Sequence, residues 1–365
     1  MEKIKNKLKI IDVYIIGKFL GTFFYAITLL AIIIIIFDIS EKIDDFLERE
    51  APLRAIIFDY YLNFLPYFIN LFSALFTFIA VIFFTSRMAA NTEIIAILNS
   101  GISFWRLLRP YMISALILAL LSFYLTNFLI PITNRKMVQF ESKYIKSQSR
   151  ASDMNIHMQI SPGTFIYVES YNKDARVGYR FSLEKMNEKG LFYKLSADYV
   201  TWDSIKQQWK ADMWVERTIK DMHETLINGR SKLISLPLLP KDFSINVEDT
   251  KVMNYSELRR FIAREKMRGS STVAKFEVVK YTRIAWPFAT IVLTIIGVAL
   301  SSRKVRGGTG LNLGLGLSIS FAFILFMQFF SVFAIFGNIP PIIAVWIPNV
   351  LFGLLGVYLL RMSPK

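Results

Sequence analysis

TSRMAANTEIIAILNSGISFWRLLRP, residues 85–110, is a polar, helix-prone stretch set between two long apolar runs. Both of its ends are tied to the same apolar structure, so what lies between must fold compactly beside it. Asn91 is a candidate cap for a short helix, with Glu93 in the first turn, where the helix dipole favours an acid. Ile94, Ile95, Ile97 and Leu98 make an apolar stripe at helical spacing, and Gly101 is placed to end it. Arg87, Arg106 and Arg109 flank the stripe. An amphipathic helix in such a position lies against lipid headgroups or against a partner protein.

The chain has 365 residues, of which 54% are hydrophobic, and its mean hydropathy is +0.42. That is too apolar for an ordinary soluble protein, so the long apolar runs read as membrane spans. With no cysteine and two histidines, neither a disulfide framework nor a Cys- or His-rich metal site is expected. The net charge of +15 lies largely beside the spans, where anionic lipid accounts for it without a nucleic-acid partner. The first apolar run is too long for a cleaved signal and lacks a small-residue cleavage site.

Six spans are expected: Ile10–Phe37, Leu53–Phe84 with a kink at Pro66, Tyr111–Ile130 ending at Pro131, Tyr281–Leu300, Leu311–Phe336 and Pro341–Leu360. Residues 38–52, acidic and amphipathic, read as a separate interfacial helix. Lys18 is expected to snorkel from the first span. The N-terminal tail, the 85–110 loop, the 301–309 loop (Arg303, Lys304, Arg306) and the C-terminal tail are net basic, and the 38–52 loop is net acidic. Both termini are therefore expected in the cytoplasm.

Residues 132–280 are of a different material. Tyr179, Phe181 and Leu183 alternate with Arg180, Ser182 and Glu184; Leu191, Tyr193, Leu195, Ala197 and Tyr199 alternate with polar residues; so do Trp209, Ala211, Met213 and Val215. Turns fall at 187–190 and 204–208. Successive strands without helices between them indicate an all-β antiparallel sandwich or open barrel. A helix near 255–267, capped by Asn254 or Ser256, closes it. The expected organisation is helices 1–3 in residues 1–131, with the short helix near 88–101; the β domain in 132–280, outside the membrane; and helices 4–6 in 281–365.

No catalytic set assembles. The run GGTGLNLGLG, residues 307–316, has no strand before it and no lysine in place for a phosphate loop; it opens a span, where small residues let helices approach closely. His157 and His223 fall in strands, and no cofactor is implied. Arg54, Lys280, Arg283 and Lys42 lie at the outer ends of spans, either as snorkelling anchors or as contacts to an anionic lipid headgroup, which arginine grips bidentately.

Several stretches together resemble the lipopolysaccharide-export permeases of the LptF/LptG family: IDVYIIGKFL (11–20), LFTFIAVIFFTSRMAANTEIIAILNSGISFWRLLRP (75–110), LSADYVTWD (195–203), and Tyr281 through Pro287 into IIGVALSSR (295–303). The resemblance covers nearly the whole chain and is most specific at 85–110. It implies an α-helical integral membrane protein of the bacterial inner membrane, six transmembrane helices arranged 3+3, with an inserted periplasmic jelly-roll-like domain. It also implies pairing with a homologous permease subunit, a cytoplasmic ATPase dimer that does the hydrolysis, a periplasmic lipid-bridge protein, and lipopolysaccharide as substrate. The helix near 88–101 would then be the coupling helix, with Asn91, Glu93, Ile94, Ile97 and Gly101 facing the ATPase. Family members often carry a basic residue near the outer end of the first helix; here that region reads IIIIIFDIS (32–40), with Asp38 and, beyond it, Lys42.

Other permeases driven by an ATPase, for lipoprotein release or force transmission, commonly place the large domain between spans one and two, whereas three spans are expected here on each side of it. A membrane-bound enzyme acting on envelope lipid would need a convergent acid, base or nucleophile set, which the sequence does not offer. The topology has a direct check. Ser100→Cys and Gly307→Cys are expected to be labelled only from the cytoplasm, and Lys189→Cys only from outside; cytoplasmic labelling at position 189 would overturn the orientation.

Overall fold

The computed structural model describes residues 9–145, 153–173, 175–188, 190–220, 223–243, 247–270, 272–303, 308–337 and 339–362. Lys189, Lys304, Arg306 and Gly307 lie outside the described residues. The chain forms two compact units, one helical and one built on a sheet.

In the helical unit, α1 is Ile10–Glu48, α2 is Leu53–Ala90, α3 is Glu93–Asn99 and α4 is Phe104–Tyr144. Beyond the sheet come α5, Tyr255–Met267, which belongs to the sheet unit from Ser256 on, then α6, Val273–Ser301; α7, Gly308–Ile335; and α8, Pro341–Arg361. Six of these helices are long and apolar enough to cross a membrane. The first span does not stop at Phe37 to leave a separate interfacial helix. Nothing in DISEKIDDFLE breaks a helix, Asp38 and Lys42 pair one turn apart, and the first breaker is Pro52. Ile15, Phe19, Phe23 and Ile27, four residues apart, form the buried stripe of α1.

Two of the prolines act differently from the sequence expectation. Pro66 is carried inside α2, and the irregularity sits one turn earlier, in a π-helical stretch at Ile56–Tyr61. Pro131 does not end α4; a second π-helical stretch, Leu125–Leu129, precedes it and the helix runs on to Tyr144. A proline lacks an N–H and its ring crowds the carbonyl four residues back; for Pro131 that is Asn127, inside the widened turn, whereas for Pro66 it is Leu62, just past the first π-helical stretch. Asparagine takes up carbonyls of the widened turns: Asn63 Nδ2 donates to the Phe58 and Asp59 oxygens at 2.9 and 3.0 Å, and Asn127 Nδ2 to the Phe123 oxygen at 3.0 Å. Residues 132–144 thus belong to the helix.

Polar pairs stitch the helices. Asn70 on α2 bonds Ser122 and Thr126 on α4 at 2.7 and 2.9 Å, Thr85 donates to Tyr111 at 3.1 Å, and Asn312 on α7 donates to Ser86 at 2.9 Å. Gly316 lies hard against the Ile82 side chain, so here the small residues of 307–316 do admit a neighbour, whereas Gly310 and Gly314 face open space.

The second unit holds six strands: β1, Asp153–Ser161; β2, Thr164–Asn172; β3, Val177–Asn187; β4, Gly190–Asp203; β5, Gln208–Lys220; and β6, His223–Ile234. All neighbours are antiparallel and follow chain order. The domain is all-β as expected, but its strands form a meander; the crossed strand order of a jelly roll does not occur among the described residues, because a hairpin joins each strand to the next. One face is buried beneath Leu238 and Phe243, with Trp209 Nε1 donating to the Leu238 oxygen at 2.9 Å.

Strict alternation fails at one place in every strand. The ladders skip Asn155/Glu169, Glu169/Arg180, Arg180/Asp198, Asp198/Met213 and Met213/Arg230, which line up across the sheet. Asn155, Arg180 and Met213, on alternate strands, have left-handed backbone. The pleat flips at this line with no shift of register: Leu195 and Ala197 are buried on one side of it, Val200 on the other. Tyr179, Tyr199, Met213 and Val215, expected to share the inner face, are exposed instead.

Candidate functional site

The stretch 85–110 folds against the N-terminal end of α1. Asn91 does not cap α3; it closes α2, and Thr92 takes the cap position with φ +63°. The chain must reverse within two residues between the helices, and a left-handed residue achieves this at a cost of about 1–3 kcal/mol for a β-branched side chain. The hydroxyl of Thr92 donates to the Asn91 carbonyl at 2.6 Å and is not free to cap. Gly101 follows the helix with φ +84°, its N–H on the Leu98 oxygen at 3.0 Å, as the sequence led us to expect.

Ile94 is 1% exposed in the core of its own bundle, and Ile97 and Leu98 pack against that core. These residues anchor α3 from beneath. The exposed apolar groups are Ile95, at 45%, and Trp105, at 66%, with Arg87 and Arg109 also exposed. Glu93 accepts from the Tyr14 hydroxyl of α1 at 3.0 Å and from Asn91 Nδ2 at 3.4 Å. Both donors are neutral, so the carboxylate charge remains available to a cation. Close by in the chain, Arg106 grips Asp12 of α1 with two hydrogen bonds of 2.6 Å. Asp12 also accepts from the Lys9 N–H at 2.9 Å and is 1% exposed.

At the far end of α1, Lys42 donates to Asp38 at 2.6 Å and also bonds the Tyr60 hydroxyl. Tyr61 donates to the other oxygen of Asp38 at 3.0 Å. The ammonium lies 4.9 Å from the Tyr60 ring centroid and 5.6 Å from that of Phe64. The other basic candidates are engaged differently. Arg283, 7% exposed, donates to the Met253 carbonyl at 2.8 Å. Lys280 is half-buried, its ammonium 4.2 Å from the Tyr281 ring centroid. Arg54 is exposed beside Phe58 and Asp59.

In the sheet unit, His157 and His223 lie in β1 and β6, as expected. His157 faces Tyr167, ring centroids 4.5 Å apart, in a shallow groove with Ser182, Glu184 and Lys194. Lys194, 2.8 Å from Glu184, holds that carboxyl below its usual range, and the Ser182 hydroxyl adds to the effect. Among the described residues no group of acids and histidines is placed to hold a metal ion.

Sequence reasoning named Arg106 only as a flanking basic residue, and did not single out Asp12, Tyr14, Tyr60 or Tyr61. Asp12 reads as an ordinary acid in a first helical turn. Its signal is its position at the mouth of an apolar run, where an ionisable group calls for a named partner.

The profile of the lipopolysaccharide export system permease LptF/LptG matches residues 13–362, nearly the whole chain. The chain belongs to the LptF/LptG family. Its six apolar helices and inserted antiparallel sheet domain agree with that membership. The family is one of multi-pass inner-membrane transport permeases serving lipopolysaccharide export, within an exporter that has partner subunits. No individual curated protein matches the chain.

The placement of the arginines separates their parts. Arg283→Leu leaves the half-buried Met253 carbonyl without this donor and opens a space at a buried side chain, and is expected to lower stability by about 1–3 kcal/mol. Arg54→Glu is expected to leave the thermal midpoint in detergent unchanged. Equal midpoints for the two variants would contradict this difference.

Proposed function

We propose that this LptF/LptG-family chain is one permease half of an ATP-driven exporter that takes lipopolysaccharide from the outer leaflet of the inner membrane. In this reading both termini and the 85–110 loop are cytoplasmic and the sheet domain is periplasmic. A homologous permease completes the lipid cavity, and a cytoplasmic ATPase dimer supplies the work. That work is needed because each CH₂ withdrawn from hydrocarbon costs about 0.8 kcal/mol, so a lipid with several acyl chains does not leave the bilayer unaided.

The observation that carries the reading is the construction of α3. Its inner side is anchored by Ile94 and Ile97, while Glu93 meets only neutral donors and Ile95 and Trp105, on the same stretch, are exposed. Such a surface suits an ATPase groove that offers apolar contact and a basic residue. Asn91 and Gly101 shape the two ends of the contact. For the lipid, Arg54 is the accessible headgroup contact, with Lys280 half-accessible; Lys42 contributes from its pair with Asp38, and Arg283 supports the site from beneath. For the periplasmic bridge, β6 is a sheet edge paired on one side only, with Leu226 and Ile227 exposed by 65% and 55%; such an edge accepts an added strand.

Glu93 tests the reading. Glu93→Gln keeps an acceptor for the Tyr14 hydroxyl and removes the charge, leaving a basic partner residue unpaired at a cost of about 2–5 kcal/mol of binding. The variant is expected to insert and fold, yet to lose the ATPase or uncouple hydrolysis from export, with Glu93→Lys more severe. Gly101→Val is expected to behave similarly, because a β-branched residue resists the left-handed backbone there. A Glu93→Lys protein that exports normally with full ATPase stoichiometry would contradict the assignment.

A further inference from the structure

Helix α1 is bonded to the 85–110 stretch on both sides of α3. Tyr14 reaches Glu93, the first residue of α3, and Asp12 receives both arms of Arg106, in the first turn of α4. The two tied positions on α1 are two residues apart, so both flanks of α3 converge on one turn of that helix. Polar ties from α1 to its neighbours recur at the far end, where Asp38 and Lys42 meet Tyr60 and Tyr61 of α2. Between these ends the contacts are those of the apolar stripe, such as Phe19 against Phe84 and Tyr111.

Apolar packing of this kind is non-directional and permits sliding and rotation. A bidentate guanidinium–carboxylate pair fixes both distance and orientation. A desolvated pair is a poor source of net stability, since the cost of removing the charges from water offsets their attraction. What it supplies is a defined geometry. From Asp12 to Lys42 the unbroken helix is about 45 Å long at 1.5 Å per residue.

We propose that Asp12 and Arg106 are positioning residues that fasten α1 to the loop carrying α3, so that displacement of α3 is passed along α1 to the Asp38–Lys42 cluster. The proposal rests on the exporter reading and deepens it, because it names the element of this chain that carries the stroke to the lipid end. Asp38 and Lys42 sit one turn apart on α1 and move together, so movement of α1 relative to α2 would part this pair from Tyr60 and Tyr61 and open the cluster.

The test uses the full exporter complex in nanodiscs with lipopolysaccharide. The chain has no cysteine, so labels at Ile43→Cys on α1 and Leu62→Cys on α2, both exposed, report the far end cleanly. In the otherwise unaltered chain, ATP is expected to change the distance between spin labels at these positions. Asp12→Asn and Arg106→Gln are expected to keep the ATPase at normal stoichiometry, to abolish that change, and to lower lipid released per ATP by about tenfold, a typical coupling loss. Arg106→Lys, which keeps the charge, is expected to recover part of both. Variants that shift and export as the parent does would overturn the proposal. Variants that fail to assemble would overturn it as well, assigning the pair to folding alone. If the parent complex neither hydrolyses ATP in response to lipid nor exports it, the exporter reading itself fails and this proposal falls with it.

Discussion

Within hydrocarbon every backbone N–H and C=O must find its partner inside the protein, and that constraint shapes the helical unit. It explains why α1, α2 and α4 run on where isolated sequence signals would stop them. A proline in such a helix removes a donor and crowds a carbonyl, and water is not there to compensate. At Pro131 the chain widens its helix over Leu125–Leu129; a second π-helical stretch lies at Ile56–Tyr61, and the side chains of Asn63 and Asn127 take up carbonyls at the two irregular stretches. The same constraint holds for side chains. Asn70, Ser122, Thr85, Tyr111, Ser86 and Asn312 pair across helices, so polar residues become the specific joints of an otherwise apolar assembly.

Charged groups follow a stricter form of this rule. Asp12 and Asp38 stand near the two ends of α1, each nearly buried and each surrounded by donors: Arg106 and the Lys9 N–H for the first, Lys42, Tyr60 and Tyr61 for the second. The apolar stripe of α1 packs without direction, and these two clusters give the helix its fixed points. One lies beside the short helix that carries Glu93, the other beside the lysine nearest the far end of the helix. A membrane protein that converts work at one end into movement at the other needs a rigid element held in this way.

The six helices, the inserted sheet and the family were legible in the sequence because each is written in a period or a long ordered motif. What was not legible depended on contacts distant in the chain. Asp38 and Lys42 read as part of a separate interfacial helix, since the residues that continue α1 carry no apolar run. Asn91 has the composition of a cap, but a reversal confined to two residues put Thr92 there instead. In the sheet, Tyr179, Tyr199 and Met213 fit strict alternation within their own strands; the break that turns them outward is set by registry across all six strands, which no single strand encodes. Arg283 looked like a headgroup contact from its depth in a span, and only the fold shows its guanidinium on the Met253 carbonyl. Ile94 and Ile97 read as a docking stripe, whereas the burial pattern assigns them to the anchor and leaves Ile95 and Trp105 on the surface.

The central claim is that this chain works as part of an ATP-driven lipid exporter, and it is tested most directly by the composition of the complex it forms. Native mass spectrometry of the tagged chain, extracted gently from its own membrane, reads that composition in one measurement. The account predicts a complex containing this chain, a homologous permease, two copies of a soluble ATPase and bound lipopolysaccharide. A chain recovered without any ATPase and carrying only phospholipid would contradict it.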